Sequence, residues 1–174
     1  RPTPGLDDNA DLIAGLPGES LDRWGDTIRR VADTGIDHLS LYLLETDKDT
    51  PLARALRAGR VSIADDDRQA AAFEDAVRVL ESAGFAPYEI SNFARAGRVS
   101  RHNLKYWSDD WYGGFGLGAH AYAAGRRRGS VRRLDEWIGA VESGQDPGAE
   151  TDPWDPGRRG EEALILGLRR VAGV

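Results

Sequence analysis

A strand–helix–strand pattern within residues 9–44 constrains the fold more than any other feature of the sequence. Residues 9–14 (NADLIA) predict a short strand, and residues 15–18 (GLPG) close it as a turn. Ser20 then caps a helix whose apolar residues recur at helical spacing. Residues 38–44 are nearly all apolar, as in a parallel strand covered on both faces. One such unit predicts a parallel sheet or barrel.

Helices and strands continue to alternate along the rest of the chain. Thr50-Pro51 and the acidic run 65–67 predict two further helix starts, because both provide an N-cap or a charge that suits a helix N-terminus. The remaining predicted elements are a third strand at Pro87–Phe93, a helix around residues 134–141, a linker at residues 145–157 and a last helix at residues 161–171. The sequence therefore predicts an α/β fold.

Residues 101–122 (RHNLKYWSDDWYGGFGLGAHAY) combine histidines, aromatic rings and glycines. His102 and His120 lie in this stretch, and the run Gly113–Gly118 lets backbone approach a ligand closely. A flat, partly apolar cofactor needs such surroundings. An aromatic-rich surface loop with a glycine turn has the same composition, so both interpretations stay open at this point.

The composition excludes several classes of function. The 174 residues carry a net charge of −6, which argues against nucleic-acid binding, and no apolar run reaches membrane-spanning length. The chain has no cysteine, so it has no disulfide and no thiolate metal ligand, and we find no spacing typical of a catalytic triad or a zinc site. A chain that begins at Arg1 and lacks methionine is expected to be part of a longer translation product.

Polar residues in or after predicted strands are candidate site residues, because ligands bind at the carboxyl ends of parallel strands. Asp11 lies in an otherwise apolar strand, where it either accepts a bond from a ligand hydroxyl or ammonium or bonds a neighbouring turn. Glu45 follows the second strand and is either a ligand contact or a solvated acid. His38 is interpreted as a structural histidine. His102 has polar and aromatic neighbours at near-helical spacing, so its imidazole is a candidate iron or propionate contact, or part of a helix cap.

Five segments in order resemble the radical S-adenosylmethionine (SAM) proteins related to oxygen-independent coproporphyrinogen III oxidase. The segments are DLIAGLPGES, HLSLYLLE with TPLA, YEISNFAR, RHNLKYW and GFGLGAHAY. They cover nearly the whole chain. The HNxxYW motif is typical of the haem chaperone branch of that family, where its histidine is implicated in haem binding. The chaperone branch is therefore favoured.

The resemblance implies site residues, cofactors and partners. It assigns Asp11, Glu45 and His120 to a SAM site, and the haem contacts to His102, Asn103, Tyr106 and Trp107. It implies haem as the cargo, haem-accepting respiratory or membrane proteins as partners, and a cytoplasmic location. The family's [4Fe–4S] cluster is held by a Cys-x3-Cys-x2-Cys motif, which this chain lacks, so those ligands are expected upstream. No catalytic residue and no metal ligand is assigned within the chain.

The resemblance also implies a domain arrangement. Residues 1–125 are expected to form the C-terminal part of a (β/α) radical SAM barrel, and residues 126–174 a linker and the beginning of a small, mostly helical C-terminal domain. Oxidation of coproporphyrinogen III is the alternative activity, with Arg95, Arg98 and Arg101 as candidate propionate ligands. An inactive truncated remnant is the third hypothesis.

Overall fold

The structure is a computed structural model that describes residues 7–108, 110–152 and 155–173. Its residues form two compact units, Arg1–Ser100 and Arg101–Val174, which are called the first and the second unit below. The assignment of residues 1–125 to a barrel and residues 126–174 to a further domain stays a prediction.

Within residues 7–100, the first unit contains a four-stranded sheet and three helices. The strand order is β1-β2-β4-β3, and β1 and β2 are parallel. Its elements are β1 (Asn9–Ala14), α1 (Leu21–Ala32), β2 (His38–Leu43), α2 (Pro51–Arg57), α3 (Asp66–Ser82), β3 (Ala86–Pro87) and β4 (Asn92–Ala94). The predicted strand–helix–strand unit is therefore confirmed. Residues 38–41 of β2 are buried on both faces of the sheet, as their composition indicated.

Side-chain caps start the three helices where the sequence predicts. Ser20 accepts a bond from the Arg23 amide at 3.4 Å, and Thr50 accepts one from the Ala53 amide at 3.1 Å. Asp65 accepts the Arg68 amide at 2.9 Å, and Asp66 and Asp67 add negative charge to the first turn of α3. These starts depend on local sequence alone, which explains why they are predictable.

The core of the first unit lies between one face of the sheet and helices α1 and α3. The indole nitrogen of Trp24 in α1 donates to the carbonyl oxygen of Ala72 in α3 at 3.0 Å, so the largest buried side chain has no unpaired donor. Burial of each large apolar side chain contributes about 1.5–3 kcal/mol. The fully buried large side chains are Trp24, Phe85, Phe93, Ile28, Leu39, Leu41 and Leu80.

The prediction of one continuous third strand over Pro87–Phe93 is wrong. The chain reverses there, so β3 and β4 are two short antiparallel strands, and β4 runs antiparallel to β2. The Tyr88 amide donates to the Asn92 carbonyl at 3.1 Å and the Glu89 carboxylate accepts the Ser91 amide at 3.1 Å. These contacts close a turn whose residues have strand-like composition, and the carboxylate that stabilises the turn is itself buried.

In its described part, the second unit contains a three-stranded antiparallel sheet of order β5-β6-β7 and three helices. Its elements are α4 (Arg101–Trp107), β5 (His120–Ala123), β6 (Arg126–Ser130), α5 (Leu134–Glu142), β7 (Gly148–Asp152) and α6 (Pro156–Gly167). The predicted helix around residues 134–141 is confirmed. The last helix begins earlier than predicted, because Asp155 caps it and Pro156 suits its first turn.

The interpretation of residues 145–157 as a linker is wrong for β7, which spans Gly148–Asp152. Strand β7 pairs with β6, which supplies the backbone partners of Gly148 and Ala149. A segment rich in glycine and aspartate has low intrinsic strand propensity, so its extended form depends on this neighbour. Residues 153 and 154 of the predicted linker lie outside the described residues.

Candidate functional site

One face of the first unit's sheet carries polar side chains, while the other packs on the core. Asn9 and Asp11 of β1 lie opposite His38 and Ser40 of β2, and Ser40 lies opposite Asn92 of β4. Residues paired in this way project to the same side of a sheet. We call this set the polar face. It includes three side chains that are nine-tenths buried or more, namely His38, Ser40 and Asn92.

Asp11 is an ionised acceptor on the polar face. Bonds from the Ser40 hydroxyl and from the Asn9 amide lower the pKa of its carboxyl, and together they outweigh the opposing effect of desolvation. The Asn9 amide nitrogen lies 2.8 Å from the carboxylate. Asp11 is exposed, so it can accept a further bond from a hydroxyl or ammonium group. The sequence left open whether Asp11 binds a ligand or a neighbouring turn. The structure shows bonds to Ser40 and Asn9 of the sheet where a bond to a turn was one of the two interpretations.

His38 is bonded at both ring nitrogens. Its Nδ1 lies 2.7 Å from the Asn9 side-chain oxygen, and its Nε2 lies 2.7 Å from the Tyr88 hydroxyl. Burial lowers the pKa of the imidazole, against the attraction of Glu89 and Asp11 for a proton. These contacts and its burial agree with the prediction of a histidine that the fold holds in place. Sequence reasoning missed Asn9 and Tyr88, which lie 29 and 50 residues from His38 along the chain.

Glu45 is not part of the polar face, and His120 belongs to the second unit. Glu45 follows β2 and forms an exposed ion pair with Lys48 at 2.8 Å. His120 begins β5 in the second unit and is exposed, and its ring lies beside Gly129 on β6. The assignment of these two residues to a SAM site stays a prediction.

A second candidate site lies in the second unit, where a helix and a strand align aromatic rings. Helix α4 places His102 and Tyr106 one turn apart, with 2.8 Å between Nε2 and the phenol oxygen. The Tyr106 ring meets Tyr112 edge-on at 4.6 Å, and Tyr112 stacks on Tyr122 at 5.9 Å. We call His102, Tyr106, Tyr112 and Tyr122 the aromatic row. His102 is exposed at one end of it.

The motif residues do not all lie on one side of α4. Trp107 follows His102 by five positions, which corresponds to about 140° around a helix. The Arg169 guanidinium lies 5.3 Å from the ring centre of Trp107. The indole nitrogen of Trp107 is buried and has no hydrogen-bond partner among the described residues. Asn103 is half-buried. The structure therefore brings His102 and Tyr106 together and directs Trp107 elsewhere.

Charge at the other end of the aromatic row comes from Arg127. Its guanidinium lies 5.3 Å from the ring centre of Tyr122 and forms an ion pair with Glu162. The bond to Glu162 raises the pKa of Arg127, and a bond to the Tyr112 hydroxyl contributes in the same direction. Arg127 therefore holds two rings of the row in place.

Gly114, in the glycine run, lets two backbone segments of the protein approach each other closely. A side-chain carbon at this position would lie 2.3 Å from the carbonyl oxygen of His120, so only glycine fits. Nearby, Tyr112 and Tyr122 exchange two backbone hydrogen bonds of 2.9 and 3.0 Å. At Gly114 the close approach is between two backbone segments, and not between backbone and a ligand as the glycine run predicts.

Two of the arginines considered as propionate ligands are already engaged. Arg95 donates to the carbonyl oxygens of Ala32, Ile36 and Ala83 at 3.3, 3.1 and 2.8 Å. Since Ala32 ends α1 and Ala83 caps α3, this side chain binds the C-termini of both helices. Arg98 pairs with aspartates, and Arg101 is exposed at the start of α4. Arg95 therefore does not fit the role of a propionate ligand.

A cavity of about 610 Å³ lies beside the turn that follows β1. Two of its polar side chains form local bonds: Gln69 donates to the Ala64 carbonyl at 3.0 Å, and Glu19 accepts the Gly15 amide at 3.3 Å. The predicted site residues do not line it. The polar face and the aromatic row therefore remain the two candidate sites.

The fold matches that of a radical SAM enzyme. Coproporphyrinogen III oxidase (HemN) from Escherichia coli superimposes with a TM-score of 0.73 over 92% of this chain and 40% of its own, at 16% identity. At this identity the likeness shows the fold alone. It confirms the predicted α/β class and the relation to part of a radical SAM barrel. No family profile matches the chain.

Curated relatives match nearly the whole chain at higher identity. Heme chaperone HemW of Bacillus subtilis is 35% identical over 94% of this chain, and that of Mycobacterium tuberculosis is 42% identical over 95%. The mitochondrial radical S-adenosyl methionine domain-containing protein 1 of Danio rerio is 34% identical over 95%. The chain spans 43%, 43% and 39% of the lengths of these three relatives.

Fold and sequence together place the chain in the radical SAM class of proteins. Within that class, it belongs to the family of the heme chaperone HemW, as the ordered motifs predicted.

Proposed function

We propose that this chain is part of a cytoplasmic haem chaperone that binds haem at His102 and SAM at Asp11. The chaperone delivers haem to respiratory or other membrane-bound haem proteins. The names of the relatives support the chaperone role. The observation that carries the haem site is the exposed His102 imidazole at the end of the aromatic row, because an accessible imidazole beside aromatic rings suits a flat iron porphyrin.

The polar face fits the SAM part of the proposal. Asp11 offers an ionised acceptor, and the side-chain oxygen of Asn92 is buried without a hydrogen-bond partner among the described residues. The exposed carboxylate of Asp11 suits a ligand that carries hydroxyl and amino groups. When bound at a reduced cluster, SAM is a source of radical chemistry. In this chain the role of Asp11 is to bind and orient SAM.

The [4Fe–4S] cluster does not fit the residues of this chain. The sequence has no cysteine, and no group of three or more His, Asp or Glu side chains suits a metal ion within residues 7–108, 110–152 and 155–173. In the same described ranges, no helix is both long and apolar enough to cross a membrane.

A haem titration of the complete gene product tests the proposal. Increasing haem is followed by its Soret absorption for the wild type and for His102→Ala. We expect a saturable shift that the substitution abolishes. His120→Ala is the matched control, because it removes the other exposed histidine of the second unit. Retention of the shift in His102→Ala, or equal loss in both variants, contradicts the proposed haem site. Formation of protoporphyrinogen from coproporphyrinogen III would favour the enzymatic alternative.

A further inference from the structure

We propose that Tyr88, His38 and Asn9 form a directional hydrogen-bond relay that positions the Asp11 carboxylate for SAM. The inference rests on the proposed role of Asp11 and assigns a positioning role to three residues beyond it. We call these three residues the relay. Each member bonds the next at 2.7–2.8 Å, from Tyr88 through His38 and Asn9 to Asp11.

The direction of the relay follows from what each atom can donate. An ionised carboxylate only accepts, so the Asn9 amide nitrogen must face Asp11 and the Asn9 oxygen must face His38. The Nδ1 atom of His38 therefore carries the proton and donates to that oxygen. The Nε2 atom is then bare and accepts from the Tyr88 hydroxyl. The bonds allow one consistent arrangement of donors and acceptors along the whole path.

The sheet makes this path rigid. The parallel register places Asn9 opposite His38, and Asp11 follows Asn9 two positions later on the same face. Tyr88 reaches the imidazole from the turn between β3 and β4, and the two rings meet edge-on at 5.6 Å. His38 is only 7% exposed, so its ring is held by packing as well as by its bonds. A residue held in this way can fix the amide of Asn9, which is itself exposed.

Electrostatics support the neutral imidazole that the relay requires. The charged groups that attract a proton to His38 are Asp11 on β1 and Glu89 on the turn after β3, yet burial outweighs both and lowers the pKa of His38. A protonated ring would direct a second N–H toward Tyr88 and break the donor order. At the other end, the bond from Asn9 contributes to the low pKa of Asp11, second to that from Ser40.

Three substitutions of His38 separate positioning from packing. His38→Leu removes both bonds. His38→Asn places a side-chain amide near the Nδ1 position, where it can donate to Asn9, whereas His38→Gln places the same amide near the Nε2 position. For SAM binding by the complete gene product, measured by calorimetry under anaerobic conditions, we expect about tenfold weaker affinity in the Leu and Gln variants, as for the loss of a bond that supports a charged group. The Asn variant should recover most of that loss.

Asn9→Ala tests the same relay at an exposed position, where misfolding is not expected. It should weaken SAM binding about tenfold as well, since it removes the bond to a charged group. This variant decides the matter if the substitutions of His38 fail to fold, as judged by circular dichroism. Unchanged affinity in Asn9→Ala would overturn the relay.

Asp11→Asn distinguishes failure of the relay from failure of the SAM site. If Asp11→Asn weakens binding while the Asn and Gln variants of His38 bind equally, the relay is wrong and the site stands. If Asp11→Asn has no effect, the SAM role of Asp11 is wrong, and the relay is judged by the carboxyl ¹³C titration of Asp11. A higher pKa of Asp11 in His38→Gln than in His38→Asn then supports positioning, and equal pKa values overturn it.

Discussion

Removal of the Tyr106 hydroxyl tests which atom of His102 meets haem. The phenol oxygen lies 2.8 Å from Nε2, so this nitrogen is engaged whether it donates or accepts. Iron needs a bare nitrogen lone pair, and coordination through Nε2 must therefore break the bond to Tyr106. Tyr106→Phe removes the competitor and keeps the ring, which packs edge-on against Tyr112 at 4.6 Å. We expect the variant to bind haem more tightly than the wild type.

The size of the effect follows from the exposure of the bond. His102 is exposed and Tyr106 is 38% exposed, so the bond competes with water and its net value lies at the lower end of the usual range, about 0.5–1 kcal/mol. At 1.4 kcal/mol for each factor of ten, the dissociation constant for haem should fall about two- to fivefold.

The assay is a Soret titration of the complete gene product at several protein concentrations. Tyr112→Phe is the matched control, because it also removes one phenol hydroxyl from the aromatic row, and that hydroxyl bonds Arg127 instead of His102. We expect a tighter complex in Tyr106→Phe alone, and loss of the gain when it is combined with His102→Ala. Unchanged or weaker binding in Tyr106→Phe would refute coordination through Nε2.

Three further predictions concern stability, measured by urea unfolding. Gly114→Ala should destabilise the fold by about 1–3 kcal/mol, because its methyl group would overlap the His120 carbonyl; an unchanged midpoint would contradict this. Arg95→Leu should cost about 1.5–3 kcal/mol, as it leaves carbonyls at two helix ends without their charged donor, and a neutral effect would show that water replaces it. Burial lowers the pKa of His38, so the imidazole binds a proton more readily in the unfolded chain than in the folded one. The free energy of unfolding should therefore fall as the pH drops below 6.5, the ordinary pKa of histidine. The fall should be smaller in His38→Asn.

Local sequence predicted the first unit well up to residue 82. Helix caps such as Ser20 and Asp65 act within three residues, so the helix starts follow from the sequence alone. The apolar run of β2 likewise indicated burial on both faces. Two of the errors lie where pairing between segments decides the conformation, at the turn after β3 and at β7. The residues of both segments are compatible with several local structures, and the neighbouring strand selects one.

For the candidate sites, too, the sequence predicted what depends on residues close together in the chain. The family and the candidate His102 came from ordered motifs, because the residues of such motifs are contiguous in sequence. The contact between His102 and Tyr106 also follows from helical spacing. The roles of Asp11, Glu45 and His120 in SAM binding stay predictions. Two of these residues lie in the first unit and one in the second.

By itself, the sequence determined the strand–helix–strand core, the starts of the first three helices and the family. Only the tertiary structure decided that His38 lies between Asn9 and Tyr88, and that Arg95 binds the ends of two helices. The physical reason is range. Caps and periodicity act over a few residues, whereas these hydrogen bonds join groups 12 to 63 residues apart and form only when the folded sheet brings the groups together.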